Sequence, residues 1–171
     1  MTHRNRKITK MKNRRLVALS AMVVPALAFA AIVSPRADAA EGAMAKAEAD
    51  GIIFERQNLM LQFDKDAELL GEIAAGLKPK DKLAEVTASI AETAAASKAA
   101  FAPRVPGGRA KPEVWSNWAD YSRRLDDLEK NTKQLAEFGA KGDLTSVTNM
   151  LGGALQCKEC HDVYRGPKKP T

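Results

Sequence analysis

Near the C-terminal end of the 171-residue chain stands Cys157-Lys158-Glu159-Cys160-His161. C-x-x-C-H is the attachment sequence for c-type haem. Two thiols three residues apart can add to the two vinyl groups on one porphyrin edge, and His161 can then rise under the iron as an axial ligand. Three other chemistries compete for these residues. A structural zinc site needs four ligands, and only Cys157, Cys160 and His161 remain once His3 is assigned to a leader. A thioredoxin-like dithiol expects a βαβ context, which the sequence does not offer. A plain disulfide leaves His161 without a role. One covalently attached haem c is therefore the expected cofactor.

The single histidine outside the leader has further consequences. Bis-histidine ligation within one chain is excluded, so a methionine, an unusual donor such as Lys or Tyr, or nothing fills the sixth iron position. A haem enzyme such as a peroxidase would want a distal base; with none in sight, no catalytic residue is expected and the chain reads as a non-enzyme. Beyond the leader the methionines are Met44, Met60 and Met150. Met150 reads as lying on the same helix as His161, eleven residues earlier, where it can line the haem edge but cannot cross to the opposite face. Met44 sits close to the expected mature N-terminus. Met60 falls on the core seam of the first helix and can face the iron from the far side, although packing is the commoner role of a core methionine.

The elements that must position these groups read as helices. No stretch alternates with period two, and the β-branched residues are not clustered as strands require. In the first segment Ile53, Met60, Ala67 and Ala74 fall seven apart, interleaved with Arg56, Phe63, Leu70 and Leu77. This is a heptad seam with one arginine on it. An unpaired charge there would be costly, so Arg56 is expected to have an anionic partner. Gly76 and Pro79 end the helix near residue 76. A second helix is expected over 81–100, carrying Leu83, Val86, Ile90, Ala94 and Ser97 on one face, with Phe101 continuing that face just past it. The loop from Pro103 to Pro112 follows. Pro112 opens a third helix whose stripe runs Val114, Trp118, Tyr121, Leu125, Leu128, Thr132, Leu135 and Phe138. Trp115, Trp118 and Tyr121 are expected to wall the core and the haem pocket. Gly139 and Gly142 end that helix, and Asp143 caps a fourth that carries Leu144, Val147, Met150, Leu151, Ala154, Cys157, His161 and Tyr164 on one face. The expected fold is all-α: an antiparallel up-down-up-down four-helix bundle holding one covalent haem.

Residues 1–39 read as an export signal. A basic stretch ends at Arg14-Arg15, an apolar run spans residues 16–33, and Ala37-Asp38-Ala39 offers a small-x-small cleavage pattern. Met11 is an alternative start that would give a leader of more ordinary length. The expected domains are thus a cleaved signal peptide, 1–39, and a bundle domain, 40–171, released to the bacterial periplasm with no membrane insertion of the mature chain. Charge supports this division. Eight of the 27 basic residues and one of the 21 acidic residues fall in the leader, leaving 19 against 20. The formal net charge of +6 therefore belongs to the leader, and the mature chain needs no nucleic acid as a partner.

The sequence resembles the class II cytochromes c, the cytochrome c′ and cytochrome c-556 group, over essentially the whole mature chain. The resemblance rests on Glu55-Arg56-Gln57-Asn58-Leu59-Met60, on Gly76-Leu77-Lys78-Pro79, on Lys111-Pro112-Glu113-Val114-Trp115-Ser116, and on Cys157 to Arg165. It implies that Met60, four residues after Arg56, stands where high-spin members commonly carry an apolar blocking residue and where the cytochrome c-556 branch carries its methionine ligand. It further implies that Arg56 and Gln57 approach a haem propionate or edge and that Arg165 flanks the proximal face. The expected function is periplasmic transfer of single electrons between transient redox partner proteins, with low-spin His161/Met60 ligation. The alternative is a high-spin protein binding nitric oxide or carbon monoxide at an open sixth position. A homodimer through the first two helices is also implied as a family habit, one the Ala-rich second helix would allow.

Overall fold

The seven-residue repeats fold into helices around a shared apolar interior. The computed structural model describes the backbone of residues 35–168 and the side chains of residues 45–168. The helices are α1 (Pro35–Ala74), α2 (Leu83–Phe101), the single turn α3 (Glu113–Ser116), α4 (Trp118–Ala140), α5 (Leu144–Ala154) and α6 (Cys157–Tyr164). With α3 joined to α4 and α5 to α6, they form the four legs of an all-α, antiparallel bundle. Among the described residues the only β pairing is two isolated bridges, Gly107 with Ala110 and Ala110 with Arg165. No described helix is long and apolar enough to cross a membrane. The expected leader falls on residues 1–34, outside the described residues, and on 35–39, the start of α1.

The seams bury much, though not all, of the expected faces. On α1, Arg56, Phe63, Leu70 and Ile73 are buried, whereas Leu77 lies beyond the helix end and is 74% exposed. Gly76 turns the chain at φ 72°, a conformation that costs glycine little. Leu77 N–H then donates back to Glu72 O at 2.9 Å, a helix-ending bond of the Schellman type. On α2 all six expected residues are buried, joined by Thr87, Thr93 and Ala100. α2 packs most extensively against α4, while α1 lies on α2 and α5 on α4. Gly139 permits the close approach of α4 to α2: a Cβ there would overlap the Thr87 hydroxyl and come within 2.9 Å of Thr87 Cβ.

Three boundaries differ from the sequence reading. A 3-10 turn, Lys80–Lys82, precedes α2, which starts at Leu83 rather than at residue 81. The third leg breaks at Asn117, whose φ of −119° and ψ of 45° separate α3 from α4. The fourth leg is not one helix either. Asp143 caps it as expected, accepting from Ser146 N–H at 3.0 Å, but Leu155 and Gln156 leave helical geometry before α6 begins. Placing Met150 and Cys157–His161 on one continuous face was therefore incorrect. Gly152-Gly153, just before the break, are poor helix formers that sequence periodicity overlooks.

The interior divides into two clusters. Phe63, Leu70, Ile73, Leu83, Val86, Ile90, Ala94, Leu135, Val147 and Ala154 form the first. Phe101, Val114, Trp115, Tyr121, Leu125 and Tyr164 form the second, which is mostly aromatic. Met60 and Leu128 pack against both.

Candidate haem site

α6 carries the C-x-x-C-H motif, and Tyr164 is its only buried side chain. Cys157 and Cys160 lie one turn apart on it, and no disulfide joins them. Residues three and four apart share a helix face, so His161, four after Cys157, lies on the same flank. Cys157 is exposed, whereas Cys160 is half-buried and packs against the aromatic cluster. Burial pushes the Cys160 thiol up. Burial, followed by the positive charges of Arg165 and Arg109, holds His161 below its usual value. The ring is thus neutral near pH 7 and has a nitrogen lone pair to offer. Two thiols on one face and a neutral imidazole beside them fit the two thioether bonds and one axial nitrogen of haem c.

The backbone after His161 is held by the loop before α3. Lys111 N–H donates to Tyr164 O at 3.0 Å, and Gly166 N–H donates to Arg109 O at 2.7 Å. The Arg109 Nε–H returns to Gly166 O at 2.9 Å, and Lys111 Nζ donates to Val163 O at 2.9 Å. A lysine suits the negative C-terminal end of a helix. The exposed Arg165 brings Nη1 to 3.4 Å from His161 Nδ1, on the flank expected from its spacing.

Met60 is half-buried at the junction of the two clusters, against the same aromatic group that contacts Cys160. Arg56 is 4% exposed, and its partners differ from the anion expected. Its Nε donates to Ala100 O at 2.9 Å, Nη1 to Val105 O at 2.7 Å and Nη2 to Pro103 O at 2.7 Å. Ala100 O, in the last turn of α2, offers the negative end of a helix dipole, and the loop carbonyls of Pro103 and Val105 complete the set in place of a carboxylate. Phe101 and Trp115 each lie 5.2 Å from the guanidinium carbon, and Trp115 Nε1–H donates to Phe101 O at 3.0 Å. Burial lowers the Arg56 pKa, but an arginine guanidinium stays charged in a protein. Three of its five N–H groups are engaged. Gln57 is exposed, its amide beside Gly108.

A polar cluster that the sequence reading missed abuts α6. Asp120 accepts from Tyr164 Oη, Arg124 Nε and Arg123 Nη2, each at 2.6 Å. The spacing of Asp120, Arg123 and Arg124 is legible as helical ion pairing, but the hydroxyl 44 residues away leaves no local signal.

A family model described as Cytochrome C′ matches residues 51–165. The cytochrome c′ of Alcaligenes xylosoxydans xylosoxydans is 37% identical over 71 residues, covering 41% of this chain and 56% of that relative, little more than half its length. Among solved structures, the ferric cytochrome c prime from Alcaligenes xylosoxidans aligns with a TM-score of 0.65 at 25% identity, over 70% of this chain and 97% of that one. The nitric oxide complex of a leucine-to-valine variant of the same cytochrome aligns at 0.62 and 27%, with the same coverage. With the family model running from Gly51, within α1, to the residue after α6, and the bundle geometry agreeing, the chain belongs to the cytochrome c′ family of haem c proteins.

Proposed function

We propose that the chain is a periplasmic monohaem cytochrome, not an enzyme, that binds a diatomic gas such as nitric oxide or carbon monoxide on the side away from His161. Cys157 and Cys160 would form the thioethers and His161 the axial bond, with Arg165 beside its ring. Bound haem would supply an iron that changes charge by one electron and has a position facing Met60. The observation that carries the reading is the apolar junction at Met60, joined by Leu128 and by Phe63 of the first cluster. Such a wall admits a small apolar diatomic and offers no histidine to compete with it. The nitric oxide complex among the structural relatives supports the same choice.

One observation favours the second reading, a low-spin electron carrier exchanging with transient redox proteins. The residue at the junction is a methionine, whose thioether can itself bond iron. Export and a homodimer belong to the proposal as well. Phe54 and Leu61, seven residues apart on α1, are 63% and 52% exposed, which supports a second copy packing on that face.

The test is the visible spectrum of the exported protein, oxidised and reduced, before and after carbon monoxide. A high-spin spectrum with ready carbon monoxide binding upholds the gas-binding reading. A low-spin spectrum with a methionine–iron charge-transfer band that disappears in Met60→Leu hands the function to electron transfer. Absence of haem in a host competent to attach it sinks both.

A further inference from the structure

We infer that Asp120 and Tyr164 form a positioning pair that sets the rotation of α6 and thereby the direction of the His161 ring. The inference rests on the proposed role of His161 as iron ligand and extends it to residues on α4. Tyr164 is the one fully buried side chain of α6, at 3% exposure. It follows His161 by three residues, so it lies one turn onward on a neighbouring flank of the helix.

Every polar and aromatic contact of Tyr164 fixes its angle. The hydroxyl donates to Asp120 Oδ2 at 2.6 Å and accepts from Asn117 Nδ2 at 3.2 Å. The ring stands edge-on to Tyr121, with centroids 4.9 Å apart and planes at 77°. The Arg124 guanidinium carbon lies 5.8 Å from its centroid. Asp120 cannot easily turn away, because Arg124 Nε donates to the same Oδ2 and Arg123 Nη2 to Oδ1, each at 2.6 Å. The Tyr164 hydroxyl first, then the two arginines, keep the carboxyl far below the usual carboxylate range, so it is a charged acceptor throughout neutral pH. Asn117, at the break between α3 and α4, joins the same hydroxyl to the start of α4. A charged acceptor shortens and strengthens such a bond. Lys111 and Arg109 hold the backbone beyond His161, but backbone clamps at one end do not prevent the helix from rolling about its axis. The phenol lever opposes that roll, alongside the proposed thioethers of Cys157 and Cys160.

The test compares haem-loaded Tyr164→Phe and Asp120→Ala with the parent, reading the iron–histidine stretching band of the reduced protein by resonance Raman spectroscopy. Should Met60 prove to bond the iron, the same comparison is made in the Met60→Leu background. Tyr164→Phe keeps the ring on Tyr121 and removes one hydroxyl, so the bundle still folds. The expected result is a band that shifts and broadens equally in both variants, with no further change in the double variant, because both cut the same link. Amide exchange over residues 161–164 should rise about tenfold. Asp120→Asn, which keeps an acceptor for the hydroxyl, should return the band towards that of the parent. Lys98→Ala, which cuts the 2.6 Å tie from α2 to Asp126 on α4, should leave the band in place. A parental band in Tyr164→Phe, or additive shifts in the double variant, would overturn the inference. His161→Ala separates the two levels: if its spectrum matches the parent's, the ligand assignment fails, whatever Tyr164 does.

Discussion

Replacing Arg56 by methionine isolates what a buried arginine with carbonyl partners contributes. The substitution retains an aliphatic stem between Phe101 and Trp115 but removes three donors. Ala100 O is buried and would be left without its partner, at a cost of about 1–3 kcal/mol. Pro103 O and Val105 O are only partly buried and can take water, so each loss is worth about 0.5–1 kcal/mol. Against this, the variant no longer strips water from a guanidinium, which returns part of the sum. The balance is a destabilisation of about 3 kcal/mol, or roughly 10 °C in melting temperature for a domain of this size. The released segment is the loop from α2 to α3, which contains Arg104 and Arg109, so trypsin should cut there faster. Arg56→Lys keeps the charge but not the fork, and should recover only a minor share. The assay is a thermal melt of the haem-loaded protein beside a tryptic time course. A melting temperature within about 2 °C of the parent, together with unchanged cleavage, would refute the reasoning. If the reduction potential alone moved, the guanidinium would be acting chiefly on a propionate through its two remaining N–H groups.

Other perturbations have equally definite outcomes. Gly139→Ala forces a Cβ into Thr87 and should destabilise by about 1–3 kcal/mol despite the better helix propensity of alanine, with Thr87→Ala largely relieving it in a urea-unfolding cycle. Gly152→Ala with Gly153→Ala meets nothing within 4 Å and should stabilise by about 1–2 kcal/mol without loss of haem attachment; loss of attachment would mean that the two glycines themselves place α6. Asp120 and Asp143 have folded pKa values lowered from 3.8, Asp120 chiefly by the Tyr164 hydroxyl and Asp143 chiefly by Ser146. The stability they add is therefore complete above the unfolded value and is lost as pH falls below it towards the folded values. Acid unfolding followed by circular dichroism should become shallower in Asp143→Asn, and an unchanged profile would remove that carboxylate from the account. Cys157→Ala with Cys160→Ala should leave a poorly cooperative bundle, and a sharp, stable melt would argue against a haem-centred core.

Periodicity carried much of the fold because burial here follows single helical faces. Phe63, Leu70, Ile90, Leu125 and Leu135 each fall where a seven-residue seam predicts, and Asp143 caps where its residue type predicts. Leu77 failed for a local reason: Gly76 reverses the chain before the next turn of the seam can form. The candidate site was legible wherever its chemistry is written into adjacent residues, as in Cys157, Cys160 and His161. Arg56 was legible as a buried charge but not in its partners, since main-chain carbonyls at the end of another helix leave no mark in composition. Asp120 and Tyr164 were invisible as a pair for the same reason. Their link spans 44 residues and depends on how α6 lies against α4.

The break at Leu155-Gln156 explains why the interior has two clusters and why Met60 lies between them. Val147, Ala154 and His161 are spaced seven apart, so one unbroken helix from Leu144 would carry His161 along the face that buries Val147 and Ala154 in the first cluster. A ring driven into that aliphatic cluster would gain little and would turn the thiols inward with it. Ending α5 at Ala154 lets Leu155 still pack against the first cluster while α6 starts afresh. Tyr164 then enters the aromatic cluster, Cys160 rests against it, and Cys157 remains exposed. Met60 and Leu128 touch both clusters because they stand at the seam this displacement opens. Of the thiols and imidazole of α6, Cys160 reaches the aromatic cluster, and Met60 reaches both clusters from α1. A methionine there is thus placed by the interruption of the fourth leg as much as by its own position on the first.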